Sequence, residues 1–356
     1  MNVTRGALWI VAASLIGASP LLAQEARPSL LAIDTSAAFE ALADFDGNTP
    51  TGLSLDAVVS IGRPGFETIF WPVVQRLTNG QRIRDLWIAT VRYERPGPVG
   101  LRVDAGLIPS PVGLANLTIR RPHLNPTISQ PSSLFSPLPA PERGAPRPNL
   151  LGAVYPLGTQ VTLSSARWDA RAAVIDTSPL RRRRILYRTN PPRFTNVVIG
   201  GGVTPVVGLR IGGSVTRGGW MRAGEGPAVT SDLDATIVTI ESEFAFRYTK
   251  VAGEWVRDSI ETTLGTRVAS GWFVHGQQTL APRWFVAGRV ERITSPFILA
   301  TGAGLDQALA SVEEAVGFRL TPEITVRVGH RARRGFGVTS YDHQAAASLV
   351  WWKRWM

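Results

Sequence analysis

The stretch Val207-Gly208-Leu209-Arg210-Ile211-Gly212-Gly213-Ser214-Val215-Thr216 decides the fold class. Val207, Leu209, Ile211, Gly213 and Val215 are apolar or small, and Gly208, Arg210, Gly212, Ser214 and Thr216 lie between them. Successive side chains of an extended chain point to opposite faces, so this segment has one apolar and one polar face. The same period of two runs through Leu101, Val103, Ala105 and Leu107 against Arg102, Asp104 and Gly106. It recurs at Ile324, Val326 and Val328 against Thr325, Arg327 and Gly329. Outward from these, about fourteen segments carry a strand pattern. They lie at 52–62, 84–94, 100–108, 151–163, 168–176, 196–204, 206–217, 233–248, 251–258, 269–280, 283–294, 310–320, 323–333 and 342–353. A tilted strand needs roughly 9–11 residues to cross a bilayer, against roughly 5–6 for an ordinary soluble strand. Most of these segments have the longer length.

The connections alternate. Those at 95–99, 164–167, Pro205, Thr249-Lys250, Ala281-Pro282 and Thr321-Pro322 are short; those at 63–83, 109–149, 177–195, 218–232, 259–268, 295–309 and 334–341 are longer. Short turns on one side of a membrane and long loops on the other define an antiparallel up-and-down transmembrane β-barrel. The expected strand number is about 14, within about 12–16. Trp87, Trp168, Trp255, Trp272, Trp284, Trp351 and Trp355 fall near strand ends, where indole rings sit at headgroup level. Glu314 falls on the lipid side of its strand, where a charge is costly. His330 and His343 lie on neighbouring strands.

Arg5, the short apolar stretch from Ala7 to Ala18 and the small residue Ala23 have the layout of a signal peptide over 1–23. Residues 24–51 are expected as a periplasmic N-terminal segment and 52–356 as the barrel. No later apolar run approaches a spanning helix. The chain has no cysteine, which removes thiolate chemistry and thiolate metal sites. Formal charge is +11, nearly all of it arginine, with Lys250 and Lys353 the lysines. In an exported chain with scattered arginines this charge points to lipopolysaccharide and anionic solutes rather than nucleic acid.

Three segments resemble outer-membrane porins of the phosphate-selective type. Gly106-Leu107-Ile108-Pro109-Ser110-Pro111-Val112-Gly113-Leu114 is similar to the end of an early strand in that family. Ser270-Gly271-Trp272-Phe273-Val274-His275-Gly276-Gln277, followed by Trp284-Phe285-Val286-Ala287-Gly288-Arg289-Val290-Glu291, is similar to its paired strands near the C-terminus. Leu349 to Met356 looks like a terminal assembly strand, although Trp355 is penultimate where an aromatic is usually last. The resemblance covers about a third of the chain. It implies a passive channel narrowed by an inward-folded loop; it does not specify phosphate as the solute.

Candidate sites follow from the pattern. Loop 109–149 holds ten prolines, which keep it out of sheet and long helix. Its apolar residues Leu114, Leu117, Ile128, Leu134 and Phe135 need a surface to pack on, and the lumen is the nearest. Arg120, Arg121 and His123 are then the candidate constriction. Inward positions are expected to include Arg92, Arg102, Arg171, Arg210, Arg247, Arg289, Arg319, Arg327 and Arg331. Facing them are Asp56, Glu94, Asp104, Asp169, Glu241, Glu243, Glu254, Glu291 and Glu313. Arg181, Arg182, Arg183 and Arg184 form a basic external loop.

No phosphate-binding glycine loop, nucleophile elbow or His-x-x-x-His spacing occurs, so no enzyme, metal or cofactor is expected. The expected function is passive diffusion of small hydrophilic solutes, anionic ones among them, across the outer membrane. A substrate-specific transporter and a closed structural or adhesive barrel are the alternatives. Outer-membrane lipid, lipopolysaccharide and small solutes are the expected partners, and self-association is compatible with the pattern.

Overall fold

The computed structural model describes residues 32–44, 52–76, 82–113, 121–132, 136–141, 144–151, 155–181, 191–295 and 307–355. The leader expected over 1–23 lies outside the described residues. Among the described residues sixteen strands form the regular structure: β1 (Ala32–Asp44), β2 (Gly52–Arg63), β3 (Phe66–Arg76), β4 (Arg82–Arg95), β5 (Gly100–Leu107), β6 (Leu157–Ser164), β7 (Trp168–Ile175), β8 (Asn196–Val206), β9 (Leu209–Met221), β10 (Leu233–Phe246), β11 (Thr249–Thr262), β12 (Gly265–Thr279), β13 (Trp284–Ser295), β14 (Gln307–Arg319), β15 (Ile324–Arg334) and β16 (Asp342–Trp355). Each pairs antiparallel with its sequence neighbours, and β1 pairs with β16 to close the barrel. Closure leaves no open edge, so every strand finds partners on both sides.

All fourteen segments read from the sequence contain a strand, although the one expected at 151–163 begins only at Leu157, because Leu151 and Tyr155 pack inside the barrel. The two additions are β1 and β3. Residues 32–44, expected as part of a periplasmic segment, are instead the closing strand. Its run Ser36-Ala37-Ala38-Phe39-Glu40-Ala41-Leu42-Ala43 is rich in helix-favouring alanine, and only pairing with β2 and β16 makes it extended. β3 lies inside the expected loop 63–83. It carries Pro72, and the register with β4 shifts at Trp71/Pro72, which breaks the alternation there. The expected loop 259–268 contracts to 263–264, because β11 and β12 run on almost to meet.

At one end the connections are short, two to four residues between successive strands from β2–β3 to β14–β15. The described ends of the barrel, at Ala32 and Trp355, lie at this end. The opposite end carries 108–156, 176–195 and 222–232.

Burial is inverted relative to a soluble protein. Val161, Ile199, Val215, Ile240, Val274, Val316 and Val328 are exposed, whereas Asp104, Arg210, Glu241, Arg289, Glu313 and Arg327 are buried. The pleat sends alternate residues outward and inward, so the outer wall is apolar and the inner wall is charged. Trp168, Trp272, Trp284 and Trp355 are exposed on the outer wall. Trp87 is not: a bulge turns it inward, where it stacks on Tyr155 at 5.3 Å and meets Trp71 edge-on at 5.1 Å.

Candidate functional site

Segment 108–156 runs along the inner wall, as its anchors show one by one. It leaves β5 at Gly106, whose φ of +121° brings the backbone so close to Ala89 that a Cβ would stand 2.4 Å from the carbonyl oxygen. Arg171 on β7 then donates to the Pro111 carbonyl at 2.9 Å. Gly113, at φ +72°, passes β9 and β11; a Cβ there would stand 2.0 Å from Glu254 Oε1. No other residue fits that position without displacing the carboxylate.

The next described residue, Arg121, is on the far wall. Its guanidinium donates to Asp56 on β2 at 2.7 Å and to Ser36 on β1 at 3.2 Å, and lies over the Trp71 ring. β2 and β11 stand nearly opposite each other in the ring of strands. Gly113 and Arg121 therefore sit on opposite walls of the barrel.

From there the segment follows β15, β14 and β13. Arg327 donates to the carbonyls of Asn125 and Thr127 at 2.6 and 2.7 Å and pairs with Glu40. Arg289 donates to Thr127 Oγ1 at 2.9 Å and the Ser129 carbonyl at 2.8 Å, and pairs with Glu313 at 2.6 Å. Glu313 in turn accepts from the backbone N–H groups of Ile128 and Ser129, both at 2.8 Å, and from the Ser129 hydroxyl. Glu291 accepts from Ser132 N–H at 2.7 Å and its hydroxyl at 2.6 Å. A proline-rich segment cannot satisfy its own backbone through sheet or helix, so the charged wall does it instead. Charge-assisted bonds of this kind are about twice as strong as neutral ones.

Both ends of the segment pack by apolar contact. Ile108, Val112, Leu138, Leu150 and Leu151 join Ile175, Val198, Ile237, Val256, Ile260, Phe273 and Ile293 of the inner wall in one buried cluster. The barrel's hydrophobic core thus lies inside it, between segment and wall. Tyr155 brings the chain back to β6 through its contacts with Trp71 and Trp87.

Near the short-turn end the inner wall is partly exposed. Arg92 pairs with Asp104 at 2.7 Å and with Glu67 at 3.4 Å; Arg102 pairs with Asp104 at 3.0 Å. The side chains of Arg92 and Arg102 keep 19% and 21% exposure, Glu67 and Glu94 36% and 37%. Deeper in, Arg210 bridges Asp169 at 3.0 Å and Glu241 at 2.8 Å, and Arg171 reaches the same Glu241 oxygen at 3.5 Å. Glu243 is 3.8 Å from Lys250. Arg319 lies over the Phe285 ring, and Arg331 donates to Gln344.

Several expected roles change. Arg121 is a paired anchor rather than a free cation at a constriction. His123 stacks on Trp352 of β16 at 4.7 Å. Burial, with the Arg121 charge adding, holds the ring's pKa down at about 3, so it stays neutral at ordinary pH. An unfolded loop would take up a proton there near pH 6.5. The stack therefore loses stability as pH falls from about 6.5 toward about 3. Arg120 lies outside the described residues. Arg247 is not on the inner wall: it is the first residue of the β10–β11 turn, exposed, with φ 52°. The strand stops one residue short of it because the hairpin needs a left-handed residue to reverse. Arg181 is not a free external charge either; it grips Glu225 at 3.0 and 3.1 Å and the Trp220 carbonyl at 2.9 Å. Arg182, Arg183 and Arg184 lie outside the described residues. Glu40, Glu67 and Asp85, inward groups of β1, β3 and β4, were not among the sequence candidates; the first two belong to the strands the alternation did not reveal.

Among the described residues no group of His, Cys, Asp and Glu is placed to hold a metal ion. No family model matches the chain, and no curated protein matches its sequence. Solved structures do match its fold. OmpF of Salmonella typhi, in complex with daunomycin, superposes with a TM-score of 0.59 at 8% identity over 91% of this chain and 97% of that one. A loop-deletion form of OmpT, an outer-membrane protein of Vibrio cholerae, gives 0.55 at 9% identity over 91% and 99%. The anion-selective porin of Comamonas acidovorans gives 0.53 at 10% identity over 92% and 99%. The chain is similar to these outer-membrane porins in fold.

Proposed function

We propose that this chain is an outer-membrane channel for passive diffusion of small hydrophilic solutes, with anions favoured, and that segment 108–156 narrows its lumen. The observation that carries the reading is the combination of a closed sixteen-stranded wall, apolar outside and charged inside, with a segment tied across its interior. Barrels of about 16–18 strands leave an aqueous channel that smaller ones fill with side chains. Arg92, Arg102 and Arg354 are inner-wall cations a solute would meet beside the exposed Glu67 and Glu94, so the preference for anions rests on the net charge of +11. The comparison structure from Comamonas acidovorans is described as anion-selective, which agrees with this sign. Phosphate itself rests on the sequence resemblance alone. Residues 1–23 serve as the export signal, and lipopolysaccharide is the anionic surface for the basic loops. The reading is non-enzymatic: His123 and His275 are buried against aromatic rings rather than beside a nucleophile.

The number of anchors on segment 108–156 favours one alternative, a closed structural barrel. Vesicle swelling separates the two. Refolded protein in lipid vesicles should admit small neutral sugars and exclude large oligosaccharides. Vesicles that carry correctly folded barrel, shown by its heat-modifiable migration on a gel, yet stay impermeable to every sugar would establish the closed barrel.

A further inference from the structure

From β9 to β13 the outer wall is apolar over most of its height and charged in one band. Of the residues that these strands turn outward, the charged ones are Arg217, Asp234, Arg257, Glu261 and Arg292. All lie in the loop-end half, whereas the short-turn half presents Phe244, Val251, Val274 and Trp284. Arg217, Arg257 and Arg292 are exposed, and no described residue pairs with any of the three guanidiniums. The two carboxylates do not serve: they sit nearer the rim, where Glu261 accepts from the Asp234 N–H at 3.0 Å. A guanidinium at the edge of hydrocarbon is costly unless an anion accompanies it.

The three arginines form a ladder. Arg217 leads through its register partner Thr236 on β10 to Ser259 on β11, and Arg257 lies two residues from Ser259 toward the short-turn end. Arg257 leads in the same way through Ser270 on β12 to Thr294 on β13, and Arg292 lies two residues from Thr294 toward that end. Register lines climb in this direction: Phe246, at the short-turn end of β10, leads through Val286 and Val316 to Ala347 in the loop-end half of β16. The descent of the ladder offsets that climb, so the three arginines share one level around the barrel. From the spacing of strands and of residues along them, neighbouring arginines are about 12 Å apart at Cα. An arginine side chain spans half of that, so two neighbours can grip one anion between them. Each gap also holds outward hydroxyls, Thr236 and Ser259 in the first, Ser270 and Thr294 in the second. On the short-turn side of the ladder lie Trp255 and its register partner Trp272, at the level where indoles meet headgroups. The guanidinium fork matches the oxygens of a phosphate.

We propose that Arg217, Arg257 and Arg292 bind one outer-leaflet lipid that carries two phosphates, one in each gap, with Arg257 shared between them. A lipid with a single phosphate fills one gap; a disaccharide headgroup phosphorylated at both ends reaches both. The inference rests on the reading that this wall lies in the outer membrane, and it does not need a pore. The folded full chain in detergent, titrated with diphosphorylated lipid A and followed by native mass spectrometry, should retain the lipid. Lipid A with one phosphate removed should bind roughly tenfold more weakly, and so should the intact lipid to Arg257→Gln, as expected when charge-assisted bonds to a phosphate are lost. Arg95→Gln, which alters an exposed arginine at the short-turn end, should bind as the unaltered chain does. Millimolar inorganic phosphate should not displace the lipid. Equal binding of the two lipids, displacement by inorganic phosphate, equal losses from Arg95→Gln and Arg257→Gln, or no retention by a heat-modifiable barrel would each overturn the proposal. If Arg257→Gln does not fold, Arg217→Gln and Arg292→Gln replace it, one for each gap. Vesicle swelling is read separately: a barrel that binds the lipid but admits no sugar keeps the site and loses the channel, and a permeable barrel that does not bind it loses the site alone.

Discussion

Arg289→Met should detach the middle of segment 108–156 from the wall and destabilise the folded barrel by roughly 3–5 kcal/mol, the cost of stripping one partner from a buried ion pair. The guanidinium is 2% exposed and donates to Thr127, Ser129, Gln130 and Glu313. Methionine fills a similar volume but offers none of those donors. Glu313 would then stay buried with only the bonds from Ile128 and Ser129 to hold its charge. Adding Glu313→Gln should recover part of the loss, because the uncompensated charge is gone. Urea unfolding in detergent measures the stability, and protease cleavage within 121–132 measures detachment. A single variant as stable and as protected as the parent would mean that the wall does not hold the segment.

Ile211→Arg should cost roughly 2–4 kcal/mol, the range for arginine on the lipid face near the bilayer midplane. Ile211 is 44% exposed on β9, between Val203 of β8 and Ser242 of β10 in register, so its side chain points out of the barrel. Ser60→Arg is the matched control. Ser60 lies on the inner face of β2 beside Asp34 of β1, a half-exposed carboxylate that holds Arg354 and has room on the inner side for a second guanidinium. Folding into lipid vesicles, followed by heat-modifiability, should fail or slow for Ile211→Arg and proceed for Ser60→Arg. Equal yields from the two would remove the assignment of inner and outer faces.

The alternation made most of the wall legible because the two sides of each strand meet different surroundings. It faded where that difference fades. On β11 the inward residues are Ala252, Glu254, Val256, Asp258 and Ile260, and on β12 they include Ala269 and Phe273. Near the packed segment the outward residues Arg257, Ser259 and Glu261 are polar while Val256 and Ile260 face inward, so the apolar face changes sides along the strand and 259–268 looks like a loop. β1 was hidden by alanine and β3 by Pro72 and its register shift. The inner charges were legible as positions, but their pairing was not. Which arginine meets which carboxylate depends on the stagger between strands, and Glu40 and Glu67 come from the two strands the pattern concealed. Proline content marked 109–149 as irregular. That Arg121 would bind Asp56 rather than face solute could not be read without knowing which wall it reaches.

Single-channel recording in a planar bilayer tests the central claim, that the barrel is a pore narrowed by its own inner segment. The full chain should give discrete ohmic steps. Removing residues 115–145 deletes the contacts to Asp56, Glu313, Glu291 and Arg327 while leaving Arg171 at Pro111, and should raise the step size. Steps of equal size from both would place the segment outside the conducting path. Silence from both, with each correctly folded, would contradict the pore itself.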